Sequence, residues 1–439
     1  MNAPAVASSQ AAAPTNQWEI DFKRMIALSG LVPSIGDLPL ELRDSTVNTV
    51  VRIRPQAYAT EVVRGFAAGI DSLNGKQIDK FLAYALSVNP QSVQSSFLAP
   101  LTSKLPRLNP AQRDRIVGTM RSFFRDTDKV PILAALGEHV GLLNRKDREF
   151  VIVCAIRTAE DGRALAGLGA GMAHLGDDIP RVLESAMHIV SEEGKAVALS
   201  GLAAGLGHLS DPQVKSLFEC AQRIVDESRK ARALAGFGAG VRHVCDESRR
   251  LELVTRLMDT ATSMNSESSK ALALDGLSVA IPEMNSEQRA LLIAQLDAFE
   301  DESCMQRLLS ALGREMPHLN AQQRHMILTK TAELSDPAQL GQAMLNVMPH
   351  AIPYLSEEQC KAQIQRAAAL GNFASFGLRG IAAGIGRMGE ELDSHDTEEE
   401  WRALLERRHR LEDLVLSLPF KLERRANVGA WTAAEIRGQ

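Results

Sequence analysis

The stretch RALAGLGAGMAHLGDD, Arg163 to Asp178, carries Gly167, Gly169 and Gly171. Bare glycine backbone is what cradles a phosphate at the start of a helix. A dinucleotide loop needs G-x-G-x-x-G between a strand and a helix, and this stretch reads G-x-G-x-G. The full spacing does occur at Gly384, Gly386 and Gly389, but where a helix is ending rather than after a strand. A second constellation is a column of His174, His208, His243 and His318 with Glu283, each one place before the apolar residue that closes a similar stretch. Imidazoles beside a carboxylate are metal-ligand chemistry, which makes a metal-dependent enzyme one alternative. Equivalent residues of neighbouring helices lie roughly 8–10 Å apart, so two must lean together to share an ion at about 2 Å. Histidine at a helix C-terminus also suits the last carbonyls and the dipole. A third column, Arg43, Arg113, Arg148, Arg249, Arg289 and Arg324, recurs five residues after the closing residue. It forms either a ladder of salt bridges to acidic turns or a stripe for an acidic partner; on the second reading Arg113, Arg148, Arg249, Arg289 and Arg324 are the candidate partner-binding residues. A stripe of arginines also raises nucleic-acid binding as an alternative. The sequence contains no H-E-x-x-H, G-x-S-x-G or P-loop pattern, and no catalytic, cofactor or metal residue is assigned.

Composition narrows these choices. The 439 residues are 45% hydrophobic and 23% charged, the balance of a folded globular chain, with a formal net charge of −5. That charge gives no overall attraction to nucleic acid or anionic membrane. Aromatics at 4% leave few stacking platforms for single strands, so nucleic acid is disfavoured as a partner. Cys154, Cys220, Cys245, Cys304 and Cys360 are scattered without C-x-x-C, and read as reduced, packed thiols rather than a disulfide framework or zinc site. No apolar run reaches the length of a membrane span.

What must position the three columns is a repeat. Stretches like the first recur at Val62, Val197, Arg232 and Gly377, which a nucleotide loop does not explain and a structural repeat does. Their closing residues form a series of anchors: Leu38, Leu73, Leu108, Leu143, Leu175, Leu209, Val244, Met284, Leu319, Leu355 and Met388. The mean period is about 35 residues. Apolar residues three, seven and ten places before each anchor share one helical stripe. Just after the anchor, pairs such as Asn74 and Gln77, Asn109 and Gln112, Asn285 and Gln288, or Ser356 and Gln359 predict a capping box that opens a second helix. That helix has its own stripe, for example Phe81, Leu82 and Ala85. Each unit is therefore a helical hairpin, and no segment alternates like a strand. Gly65 and Gly69, Gly167 and Gly171, Gly201 and Gly205, Gly236 and Gly240, and Gly380 and Gly384 lie four apart on one face, where a neighbouring backbone can come close.

Tandem hairpins with this stripe resemble the HEAT and armadillo class across roughly residues 20 to 420. The resemblance implies an all-α fold, a right-handed α-solenoid of about eleven hairpins, and a non-catalytic role in protein-protein interaction without a cofactor. Of the HEAT prolines only scattered ones, such as Pro100, Pro282 and Pro317, fit. The marks of tetratricopeptide, pentatricopeptide and Pumilio arrays are absent. The uncharged leader MNAPAVASSQAAAPTNQ before a helical body looks like bacterial effectors delivered by type III secretion. That likeness implies a soluble protein of the bacterial cytoplasm, secreted into a host cell to bind a host protein, with no membrane insertion.

Three regions are expected: a disordered tail over 1–19, the repeat solenoid over 20–393, and an acidic loop, capping helix and tail over 394–439. Seven acidic residues and no Lys or Arg fall between 390 and 400. Thr397 and Glu400 make a capping box for a helix with Trp401, Leu404, Leu405, Leu411, Leu414, Val415 and Leu418 on its apolar side, which would cover the end of the stack.

Overall fold

The structure is a computed structural model, and it describes residues 32–52, 65, 67–388 and 398–418. The uncharged leader, the segment 389–397 with Thr397, and everything after residue 418 lie outside the described residues, as do the side chains of Glu400 and Trp401. The chain divides into two compact units, one up to Leu202 and one from Ala203.

The first unit holds α1 (Leu40–Val50), α2 (Gly75–Leu86), α3 (Gln91–Thr102), α4 (Pro110–Arg121), α5 (Asp126–Gly137), α6 (Arg145–Arg157), α7 (Arg163–Leu168), α8 (Ile179–Met187) and α9 (Glu192–Leu202). In the second are α10 (Asp211–Gln222), α11 (Glu227–Gly240), α12 (Glu247–Thr262), α13 (Glu267–Ser278), α14 (Ser286–Ala294), α15 (Glu302–Arg314), α16 (Ala321–Glu333), α17 (Pro337–Ala351), α18 (Glu357–Ala368), α19 (Ala374–Arg387) and α20 (Glu398–Ser417). Strands are absent among the described residues. From α3 to α19 the odd-numbered helices lead into an anchor and the even-numbered ones trail it. Within each unit, successive leading helices pack side by side. The fold is an α-solenoid, stacked as the HEAT-like pattern implies.

The stripes are where the periodicity puts them. Leu98, Leu101, Leu105 and Leu108 are buried in one hairpin, and Phe81, Leu82 and Ala85 in its neighbour. One detail differs: except in α19, which runs to Arg387 beside Met388, the leading helix does not run on to its anchor. It stops several residues short, and a separate 3-10 turn, such as Leu105–Arg107, Val140–Leu142, Ile281–Glu283 or Met316–His318, carries the chain to the anchor in extended conformation. Pro106, Pro282, Pro317 and Pro353 sit second in these turns, where the fixed φ is wanted and the missing N–H is not. The capping boxes form at Asn74, Asn109, Asn285, Asn320 and Ser356.

The glycines set the spacing of the leading helices. Eight places before its anchor, Gly167 lies so near α5 that a Cβ would overlap the Ala134 carbonyl; Gly201 stands in the same relation to Ala166, and Gly276 to Ala235. Four places before it, a Cβ on Gly171 would overlap the Gly137 carbonyl and one on Gly240 the Ala203 carbonyl. Contact at this range is backbone to backbone, which brings many atoms into dispersion distance at the expense of about 1 kcal/mol of helix propensity per glycine.

Glutamates join the other end of each hairpin. At the start of α11, Glu227 accepts from the backbone N–H of Asn265 and Ser266 at 3.1 and 2.8 Å. Glu267 does the same for Glu300 and Asp301, and Glu302 for Ser335 and Asp336. In the first unit, Glu160 reaches Val190 and Ser191, and Gln91 reaches Phe124. The N–H groups served are orphans at the start of the next leading helix.

The terminal helix α20 packs on α18 and α19. Leu411 and Val415 are buried, as its apolar side requires, and so is Glu412, which accepts from Arg408 at 2.8 Å. Arg407 donates to the Leu355 carbonyl, and Arg410 pairs with Glu357 at 3.0 Å. Lys361 and Arg410 hold the Glu357 carboxyl down at about 2.

Two outcomes are expected. Gly167→Ala should destabilise the protein by about 1–3 kcal/mol through overpacking, whereas Gly118→Ala, with open space beyond its Cα, should stabilise by up to about 1 kcal/mol; urea titrations read the opposite signs. Hydrogen bonds from Ser335 and Asp336 hold the Glu302 carboxyl below its usual 4.5. A depressed carboxylate stabilises above its unfolded pKa and stops doing so as pH falls through the folded one. Thermal melts from neutral to about pH 3 should therefore show a shallower acid decline for Glu302→Gln than for the unaltered chain.

Candidate interaction surface

The arginine column turns inward onto backbone. Arg43 donates from Nε to the Leu38 carbonyl at 2.7 Å and from Nη1 to Ser72 at 2.7 Å. Arg113 spans Leu105 at 3.1 Å and Leu142 at 3.3 Å, and Arg148 spans Leu143 and His174, both at 3.4 Å. Arg289 spans Ile281 at 2.9 Å and His318 at 2.7 Å. In each case one bond holds the arginine's own anchor turn and the other meets the residue just before the next anchor. The 3-10 turns leave carbonyls without helical partners, and a planar guanidinium fork serves two of them at once. The unfavourable dipole position of these cations is answered by carbonyls behind them rather than by acidic turns.

Two members depart from this geometry. Arg249 reaches back to the Leu209 carbonyl at 2.9 Å and pairs with Asp211 at 2.5 Å, while Arg250 holds its own anchor through the Val244 carbonyl at 3.1 Å and makes the forward link as an ion pair with Glu283 at 3.2 Å. Arg324 lies over the Tyr354 ring, 4.1 Å from its centroid. Of the five candidate residues, only Arg249 forms an ion pair among the described residues, so a continuous salt-bridge ladder is not what the column builds.

The histidine column contributes mainly its backbone. His174 and His318 offer their carbonyls to Arg148 and Arg289, the His174 ring covers Gly141, and the Arg242 Nε stands 3.3 Å from His243 Nε2. Burial and the Arg242 charge hold His243 below its usual value, with a smaller push from His208. Among the described residues no three His, Cys, Asp or Glu side chains converge as metal ligands. Cys154, Cys304 and Cys360 are buried, and burial raises all three thiols, Cys304 to about 11. Raised thiols are poor nucleophiles.

What remains is the face of the leading helices turned away from the trailing ones. Nine places before the anchor this face reads Ala99, Ala134, Ala166 and Ser200 in the first unit. In the second unit it reads Ala235, Asp275, Ser310, Asn346 and Arg379; five places before the anchor, Arg314 and His350 follow Ala239 and Val279. Asp275 pairs with Arg314 at 3.0 Å and stands 3.9 Å from Arg307. Asn346 donates to Ser310 at 3.1 Å, and Arg387 Nη1 meets His350 Nδ1 at 2.6 Å. A guanidinium has only N–H groups to give, so the His350 nitrogen it meets accepts and the ring is neutral. Burial, Arg387 and Arg314 together push His350 down to about 4. Nearby, burial raises the Glu315 carboxyl against the pull of His318, Arg314 and Arg242. The exposed side of α19 presents Phe376, Arg379, Ala383 and Arg387, and Phe373 stacks on Phe376 with centroids 6.5 Å apart. The sequence signal of this surface is the change from alanine to polar residues down the column nine before the anchor.

Replacing Arg289 by Ala should cost about 2–3 kcal/mol, since two turns lose charged donors, and Arg289→Lys should recover only part of it, having no fork; urea unfolding measures both.

No protein-family model matches the chain. No curated protein sequence matches it either. Among solved structures it is similar to that of Kap121p bound to Pho4p, at 11% identity and a TM-score of 0.37, over 93% of this chain and 50% of that one. It is also similar to Kap121p bound to Nup53p, at 11% identity and 0.36, over 92% and 52%. The chain spans about half the length of these structures. No helix among the described residues is long and apolar enough to cross a membrane.

Proposed function

We propose that this chain is a non-catalytic protein-protein interaction module, and that the outward face of the leading helices from α13 to α19 binds another protein. The observation that carries this reading is a division of polar labour. Arginines and glutamates along the seams are engaged mostly with backbone of the next hairpin, and capping glutamines with their own N-cap backbone and the hairpin before. Gln77 and Gln112, for instance, also donate to Asp44 and Asp79 of the hairpin before at 2.8 and 3.0 Å. On the outward face the polar residues bond chiefly to one another; Ser310 is buried and Asp275, Asn346 and His350 half-buried, while Arg307 and Arg314 are 47% and 55% exposed. Arginine beside aromatic side chains is the composition of interface hot spots. In this reading Arg113, Arg148, Arg249, Arg289 and Arg324 shape the stack, and the partner meets the outward face. The finer reading, type III delivery and a host protein as partner, is supported by the leader's composition; deleting residues 1–17 should abolish delivery into host cells, and unchanged delivery would remove it.

The test is affinity capture with the full chain and with Arg307→Glu/Arg387→Glu, using Arg223→Glu as a control at an 81% exposed arginine elsewhere. Proteins retained by the unaltered chain and the control should be lost with the double variant. Identical sets from all three would contradict the assignment of the face.

A further inference from the structure

We infer that the outward face of α15, α17 and α19 recognises an acidic protein segment, with an apolar side chain seated on Phe373 and Phe376 and its carboxylates on Arg387 and Arg314, beside His350. The inference rests on the protein-binding reading and names the partner's chemistry. Its ground is charge complementarity. Arg314 and Arg387 act on His350, Arg307 stands beside Asp275 and Arg242 acts on Glu315; among the described residues Asp275 and Glu315 are the acids these contacts bring to the face. Asp275 is shared between Arg307 and Arg314, and Arg387 is met by a neutral ring rather than a carboxylate. A cation hydrogen-bonded to a neutral acceptor keeps its full charge, and the same Arg387 nitrogen also stands 3.3 Å from His350 Nε2. The guanidinium N–H groups of Arg387 and Arg314 form a donor set for an anion, with the fork geometry that favours bidentate carboxylate.

Spacing adds a second requirement. Phe376, Arg379, Ala383 and Arg387 follow one another at three, four and four residues, which aligns them on one side of α19. The eleven residues from Phe376 to Arg387 rise about 16 Å, the reach of about five residues of extended chain. Phe373 and Phe376 are 37% and 36% exposed, enough to receive an apolar side chain at the far end of that path. An acidic segment with its apolar residue about five positions from its carboxylates therefore fits the face.

The experiment is fluorescence anisotropy of the full chain with a labelled synthetic peptide carrying a phenylalanine and a glutamate pair about five residues apart. Saturable binding is expected, at least tenfold weaker for the same peptide with glutamines, and at least tenfold weaker for Arg387→Gln with the acidic peptide. Phe376→Ala should weaken it severalfold and Arg223→Glu should leave it unchanged. In the unaltered protein, the His350 ring-proton resonance should move on adding the acidic peptide and stay still with the glutamine peptide, a readout that needs no variant to fold. Equal binding of both peptides, undiminished binding by Arg387→Gln, or tighter binding of a single-stranded oligonucleotide would overturn the inference. If it fails while affinity capture still depends on Arg307 and Arg387, only the partner's chemistry is wrong; if both fail, the face is not the interface.

Discussion

The constraint on which the structure depends is the distance between successive leading helices. Glycine eight places before an anchor lets the backbone of one helix rest on the backbone of the last, as Gly167 does on Ala134 and Gly276 on Ala235. No side chain separates the two helices there, so the spacing is fixed by covalent geometry rather than by a choice of rotamers. Trailing helices keep larger residues such as Phe81, Ile116 and Leu292 between them and the core.

Tight stacking raises a polar problem at both ends of every hairpin. Helices that stop short leave carbonyls at the 3-10 turns and N–H groups at the next start, and each must find a partner. Arginine answers at one end and glutamate, or Gln91, at the other, reaching forward by one hairpin in all of these but Arg249. Because these side chains bind backbone, the identity of the residue they meet is immaterial: Arg43 meets a serine, Arg113 a leucine and Arg148 a histidine at the same position. The histidine column is thus compatible with a position whose side chain the stack does not specify.

The hairpins, their capping boxes and the close-packed glycines were legible in the sequence because each depends on spacing within about a dozen residues. The seam contacts were not, since they join residues about a whole period apart and involve backbone atoms that carry no sequence signal. Arg289 illustrates this: its recurrence was visible, but nothing local distinguishes a guanidinium aimed at Ile281 and His318 carbonyls from one aimed at a carboxylate. Glu227, Glu267 and Glu302 read as ordinary residues of polar turns for the same reason. The 3-10 turns escaped because their residues fit the helical stripe either way. The polar outward face was present in the columns, but Asp275, Asn346 and His350 acquire meaning only beside Arg314 and Arg387.

A stack built on small residues and backbone contacts has no structural need for a charged cluster on its outer face. Alanine occupies the corresponding positions in the first unit, at Ala99, Ala134 and Ala166. Under the proposed reading, polar residues where alanine would serve the fold belong to a partner-binding surface, a kind of function that often comes at some expense of stability. The most direct measurement is the thermal stability of the full chain carrying Asp275→Ala, Arg314→Ala, Asn346→Ala, His350→Ala and Arg387→Ala together. The account predicts a melting temperature equal to or above that of the unaltered chain. A cooperative loss of stability would contradict it, and would make the cluster part of what holds the second unit together.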